Sequence, residues 1–147
     1  MNRILLVCIG NICRSPVAEA LLKQQFPDKT VSSAGLAALV GHPADNTAQE
    51  IANQDGLDLS AHRARQITQA MCNDADLILV MESDHQRELA ARYPLARGKI
   101  RCLGELPDGQ RFDVADPYRQ PRDAFEQAHA AIARGVTNWV QRIRQIG

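Results

Sequence analysis

The sequence predicts an α/β fold of three layers, in which four parallel strands form one sheet covered by helices on both faces. Two observations lead there. Four short apolar runs alternate with segments of helical periodicity, the pattern of linked βαβ units, whose helices cover the faces of a parallel sheet. The length of 147 residues also fits one domain, 1–147, since domains usually hold about 100–200 residues. Hydrophobic residues make up 45% of the chain and charged residues 23%, which is enough apolar material for a packed core.

The first strand is Arg3-Ile4-Leu5-Leu6-Val7, an apolar run ending at a glycine-containing turn. Ser15-Pro16 opens a helix, with Ser as N-cap and Pro at the first helical position. Val17, Ala18, Leu21, Leu22 and Phe26 form its apolar stripe, and Pro27-Asp28 stops it. Thr30 to Ala34 reads as the second strand, ended by Gly35, and Leu36 to Pro43 as a loop. Asp45 or Asn46 caps a helix that buries Ala48, Ile51 and Ala52, with Gly56 at its C-terminal end. A short helix is expected from Ile67 to Cys72, and a third strand from Asp76 to Met81. Ser83 and Gln86 have capping-box spacing for a helix ending near Tyr93-Pro94. Lys99 to Leu103 is the fourth strand, and Gly104 to Pro121 a long irregular loop. The last helix carries Phe125, Ala128, Ile132, Val136, Trp139, Val140 and Ile143 at a 3.6-residue period.

Charge narrows the function classes. The 17 Lys and Arg balance the 17 Asp and Glu, against a broadly basic nucleic-acid surface or an acidic tail. No apolar run approaches the roughly 18 residues of a membrane span, so no direct membrane insertion is expected. The N-terminal run before Cys8 imitates a lipoprotein signal, but Ile4 to Val7 is too short and Val7 too bulky for one. With no recognisable leader, reduced thiols at Cys8, Cys13, Cys72 and Cys102 and a cytoplasmic location are expected. Neither the cysteines nor the histidines have zinc spacing, so no metal or other cofactor is expected.

Ligands of a parallel sheet bind at the carboxyl ends of its strands. The loops after the first and second strands, and the long loop Gly104 to Pro121, should meet there. The first of them, Cys8-Ile9-Gly10-Asn11-Ile12-Cys13-Arg14-Ser15, joins a buried strand to a helix N-terminus. Unpaired amides and the helix dipole favour an anion at such a place. Gly10 lets the chain curl so that its amides form a nest, and Arg14 offers a planar fork for two phosphate oxygens. Nucleotide-binding glycine patterns are absent. Cys8 faces the nest, where the dipoles and Arg14 favour its thiolate and Ser15 can donate to it. The competing reading is a buried, inert Cys8 beside a surface Arg14.

A thiolate attacking phosphate needs a proton donor for the departing oxygen. The long loop offers Asp113 and Asp116, and Asp116-Pro117-Tyr118 is preferred, because Pro117 stiffens the acid and Tyr118 can wall an aromatic slot. The same Asp-Pro step is also an ordinary turn signal. Arg119 and Arg122 could meet an acidic partner segment or form a solvated charged surface. Cys13 lies close to Cys8 along the curled loop, so it is either the partner of a reversible, protective disulfide or a packed thiol. Cys72 and Cys102 read as structural.

The run from Cys8 to Pro16, with Asp116-Pro117-Tyr118 near the C-terminus, closely resembles the low-molecular-weight protein tyrosine phosphatases. Val31 to Gly35 and His62 to Ile67 also look like that family. The resemblance implies a metal-free, two-step reaction through a phosphocysteine. It implies Cys8 as nucleophile, Arg14 as phosphoryl clamp and Asp116 as acid and then base. It further implies that Ile9, Gly10, Asn11, Ile12, Cys13, Arg14 and Ser15 hold the phosphate, with Ser15 stabilising the thiolate. Asn11, Ser33 and His62 would brace the loop, and Leu39 and Tyr118 would form the substrate rim. The single aromatic after Asp116-Pro117 and the aliphatic Leu36, Leu39 and Val40 depart from the animal members. They look like the bacterial branch encoded with capsule or exopolysaccharide export, implying as partner the tyrosine-phosphorylated tail of a membrane-associated autokinase. A monomer is expected. Three rivals remain: an arsenate reductase of the same fold, which needs two further cysteines close together, a non-catalytic phosphotyrosine-binding module, and, third, a redox protein that uses Cys8 and Cys13 alone.

Overall fold

The computed structural model describes residues 1–146, and its elements follow the expected alternation. In chain order they are β1 (Arg3–Cys8), α1 (Ser15–Gln25), β2 (Thr30–Gly35), α2 (Asn46–Gln54), α3 (Gln69–Asp74), β3 (Leu77–Val80), α4 (Ser83–Arg92), a 3₁₀ turn (Pro94–Lys99), β4 (Ile100–Cys102) and α5 (Arg122–Ile146). The four strands are parallel, in the order β2-β1-β3-β4. The chain leaves β1 toward β2 and then returns across it to β3. A crevice opens at the strand ends where the direction of winding reverses.

Side-chain alternation divides the core in two. Ile4, Leu6 and Cys8 of β1 and Leu77 and Leu79 of β3 face one way, packing with Val17 and Leu22 of α1 and Ile132, Trp139 and Ile143 of α5. Leu5, Val7, Ile78 and Val80 face the other way, toward Cys72 of α3, Leu89 of α4 and Ala96. A sheet covered on both sides buries every strand position, so these strands read as continuous apolar runs. The Trp139 Nε1–H reaches the Cys102 carbonyl at 3.1 Å, which satisfies the one polar atom of that buried ring.

Several boundaries differ from expectation, each for a local reason. Ser15 is the first residue of α1 rather than its cap; Arg14 holds the cap position and makes no side-chain cap bond. Asp45 does cap α2, accepting from the Thr47 and Ala48 amides. The short helix starts two residues later than expected because the Thr68 hydroxyl caps it through the Met71 amide. Ile67 instead belongs to an extended segment that bridges Gly35 and Gln66. No capping box forms at α4: Ser83 is bound by Asp113, while Gln86 reaches the Ile100 carbonyl. The third and fourth strands are shorter than expected, and the long loop contains a Glu105–Arg111 bridge around a turn at Gly109.

Candidate active site

The loop Ile9–Arg14 wraps the carboxyl end of β1 and leads into α1, and its shape depends on Asn11. This residue is fully buried and holds φ at +60°, a left-handed conformation that asparagine adopts more readily than other non-glycine residues. Four hydrogen bonds hold it in this conformation. The Asn11 Oδ1 accepts the Arg65 amide at 3.0 Å, which fixes the orientation of its carboxamide. The Nδ2 group donates to Ser15 Oγ at 2.8 Å and to Ser33 Oγ at 3.0 Å. His62 Nε2 meets the Asn11 carbonyl at 2.6 Å. Ser33 in turn donates to Glu19 Oε1 at 2.5 Å, which completes the chain. The loop after β2 packs directly on the nest: a side chain at Gly35 would lie 2.4 Å from the Ile9 carbonyl oxygen.

The direction of these bonds decides what Cys8 experiences. Asn11 Nδ2 can only donate, so Ser15 Oγ accepts from it and its own proton is free. Ser15 Oγ lies 2.9 Å from Cys8 Sγ. The hydroxyl proton therefore points at the sulfur, where it stabilises a thiolate and has less to offer a thiol. Ser15 is absent from helix capping because its side chain is committed to Cys8.

Arg14 is 1% exposed, an unusual place for a guanidinium. Its Nη1 uses both protons, on Glu82 Oε2 at 2.6 Å and on the Val114 carbonyl at 2.7 Å. Nε has no partner, and Nη2 is 3.6 Å from Asp116 Oδ2, too far for a hydrogen bond. The unused Nε–Nη2 edge is a two-pronged donor for an oxyanion. Asp116 holds its Oδ1 on the Tyr118 amide at 3.1 Å and leaves Oδ2 beside the guanidinium. Asp113, the other acid of this loop, is turned away onto Ser83.

These groups enclose a cavity of about 170 Å³ lined by Cys8, Ile9, Gly10, Ile12, Cys13, Arg14, Ala37, Leu39, Asp116 and Tyr118. All three loops expected at the strand ends contribute to it. Asn11, Ser15, Ser33 and His62 stand behind the lining as its support. Leu36 is a core residue rather than part of the rim, and Val40 is two-thirds exposed outside the lining. The four cysteines are free thiols. Burial, followed by the negative charge of Asp45, pushes the Cys13 thiol well above its ordinary pKa. Cys72 and Cys102 lie in the core on the opposite side of the sheet, both raised chiefly by burial.

The family model for low molecular weight phosphotyrosine protein phosphatase matches residues 3–146. The chain belongs to this family. It is 54% identical over 147 residues to the probable low molecular weight protein-tyrosine-phosphatase EpsP of Ralstonia solanacearum, covering 100% of this chain and 99% of that one. Vibrio vulnificus Wzb in complex with benzylphosphonate superposes with a TM-score of 0.90 at 43% identity, covering 96% of this chain and 98% of that one. The YwlE arginine phosphatase from Geobacillus stearothermophilus gives a TM-score of 0.92 at 32% identity, covering 99% and 94% of the two chains. Kinship with EpsP and Wzb places this phosphatase in the bacterial branch associated with capsule and exopolysaccharide.

Four supports of the phosphatase site had no signal in the sequence: Glu82, Val114, Glu19 and His85. His85 is 5% exposed, places Nε2 3.2 Å from Glu82 Oε2 and leaves Nδ1 without a partner. Burial and then the Arg14 charge hold its pKa below the ordinary imidazole range, while Glu82 and Glu88 oppose the shift without reversing it. The unfolded chain therefore takes up this proton first as pH falls through about 6.5. The stabilisation from neutral His85 is complete above that pH and is lost below it. Melting temperatures measured at pH 7.5 and 5.5 should fall more in the wild type than in His85→Gln. Equal falls in both proteins would contradict this assignment.

Proposed function

We propose that this chain, acting as one domain over residues 1–147, hydrolyses phosphotyrosine in proteins through a phosphocysteine on Cys8. The observation that carries the reading is the directed relay Asn11–Ser15–Cys8 at the floor of a cavity that also holds a free guanidinium edge and a carboxyl group. The loop amides and the Nε–Nη2 edge of Arg14 bind the phosphate dianion. Cys8 Sγ attacks phosphorus, the bond from phosphorus to the phenolic oxygen breaks, and Asp116 gives that oxygen its proton. Asp116, now ionised, takes a proton from a water that attacks the phosphocysteine. The S–P bond breaks, phosphate leaves and the thiolate is restored. Leu39 and Tyr118 flank the phenyl ring.

The cavity is lined in part by Cys8, which is 2% exposed, and this favours the longer phosphotyrosine side chain over a phosphate on a short one. Its walls of Ile9, Ile12, Leu39 and Tyr118 suit an aryl ring. They offer few acceptors for the N–H groups of a phosphoguanidine, which would be desolvated without partners. The buried positions of Cys72 and Cys102 give an arsenate reductase no accessible cysteine relay. By kinship with EpsP and Wzb, the partner is the tyrosine-phosphorylated tail of a membrane-associated bacterial kinase of exopolysaccharide or capsule production, met in the cytoplasm. No helix among the described residues is long and apolar enough to cross a membrane.

Matched peptides test the substrate class. Phosphotyrosine should be hydrolysed about 10²-fold faster in kcat/KM than phosphoserine, the scale of loss when a reacting atom is misplaced by an ångström or more. Equal or faster turnover of phosphoserine or phosphoarginine would overturn the reading, and no turnover of any would favour a binding module.

A further inference from the structure

Two arginines follow Asp116, and the structure separates them. Arg122 is neutralised in place, with Nη1 2.8 Å from Glu50 and Nε 3.0 Å from Glu126. Arg119 is exposed, and among the described residues no carboxylate lies within ion-pairing distance of it. Its backbone is also strained. Arg119 holds φ at +61° in the third position of the turn Pro117–Gln120, which is closed by the Gln120 amide on the Pro117 carbonyl at 2.9 Å. Glycine or asparagine fits such a position without strain. A long cation gains nothing locally from this conformation except its direction: the guanidinium is carried back over the Tyr118 ring, 5.2 Å from its centroid. Tyr118 lines the cavity. An uncommitted positive charge thus lies against a residue of the cavity lining, held by stacking instead of by a counterion.

We infer that Arg119 is a specificity-determining residue that binds an anionic side chain next to the phosphotyrosine of the substrate. The inference rests on the phosphotyrosine reading above and gives it a preferred sequence context. The ligand chemistry is an acidic group, either a carboxylate or the phosphate of a second modified tyrosine. The Asp116 oxygens, turned to the Tyr118 amide and to Arg14, leave Arg119 free for it. The pair would form at the rim in contact with solvent, so a modest, salt-sensitive preference is expected.

The test uses phosphotyrosine peptides that differ only in the residue before or after the phosphotyrosine: Glu, Gln, Lys or a second phosphotyrosine. Phosphate release is measured for the wild type, Arg119→Gly and Arg119→Lys. In the wild type, Glu should exceed Gln by about two- to five-fold in kcat/KM, the range of an exposed ion pair, and Lys should fall below Gln. The advantage should shrink at high salt. It should vanish in Arg119→Gly, which accepts the positive φ, and persist in Arg119→Lys. A larger gain from the second phosphotyrosine than from Glu assigns the site to multiply phosphorylated segments; a gain no larger assigns it to carboxylates. Equal rates for Glu, Gln and Lys in the wild type, or an undiminished preference in Arg119→Gly, would overturn the inference alone. A wild type that turns over none of the peptides would overturn the phosphotyrosine reading and this inference with it.

Discussion

Cys8→Ser is expected to lower kcat on an aryl phosphate by about 10⁴-fold or more, the scale of losing a covalent nucleophile, while inorganic phosphate still binds. The two halves of this result have separate causes. On the proposed mechanism, turnover depends on a sulfur anion that a serine hydroxyl, far less acidic than a thiol, cannot replace near neutral pH, while Ser15 supplies only a donor to this position. On the same reading, binding depends on the loop amides and on Arg14, whose position is set by Glu82 and the Val114 carbonyl, contacts the substitution leaves intact. Steady-state kinetics and calorimetric titration with phosphate measure the two halves independently. Rapid-quench mass spectrometry of the wild type should find phosphate on Cys8 during turnover. Near-normal turnover in Cys8→Ser would show that the thiolate is not the nucleophile, however well the variant bound phosphate.

How legible the molecule was in its sequence depends on whether an interaction is local. The strands were readable because a sheet buried on both faces needs apolar residues at every position, as Ile4 to Val7 and Leu77 to Val80 supply. The long final helix was readable because one face repeats at 3.6 residues against the core. Errors arose where one side-chain type serves two purposes. Ser15 has the chemistry of a cap, but its hydroxyl is aimed at Cys8; Ser83 has capping-box spacing, but Asp113 supplies the oxygen that meets its amide. Thr68 was the cap that went unread, and the boundary of α3 moved with it.

The site divides along the same line. Cys8, Arg14 and Ser15 sit within one loop, so their spacing and their place between strand and helix were visible together. Asp116 was visible only as an acid stiffened by Pro117. Ser33 and His62 came from the family resemblance and not from any periodicity. Glu82 was invisible, because it meets Arg14 across 68 positions of sequence and only the pairing of β1 with β3 brings the two together. An aliphatic residue in a loop carries no mark of the direction in which it points: Leu36 enters the core, while Leu39 lines the cavity.

Asp116→Ala separates proton transfer from the rest of the chemistry. A carboxyl that protonates the departing oxygen matters in proportion to the basicity of that oxygen. The loss in the phosphorylation step should therefore be small for an aryl phosphate with an acidic phenol and about 10²–10⁴-fold for one with a basic phenol or tyrosine itself. A plot of log kcat/KM against leaving-group pKa should be shallow in the wild type and steep in the variant. The geometry adds a second signature. Asp116 Oδ1 is engaged by the Tyr118 amide, leaving Oδ2, 3.6 Å from Arg14 Nη2, as the oxygen that on the proposed mechanism carries and returns the proton. When ionised, that same oxygen competes with a bound dianion for the guanidinium. Removing it should leave phosphate or vanadate bound at least as tightly as before, even while turnover of poor leaving groups collapses. A uniform loss across all leaving groups, or a parallel loss of anion affinity, would mean that Asp116 shapes the cavity rather than moving a proton within it.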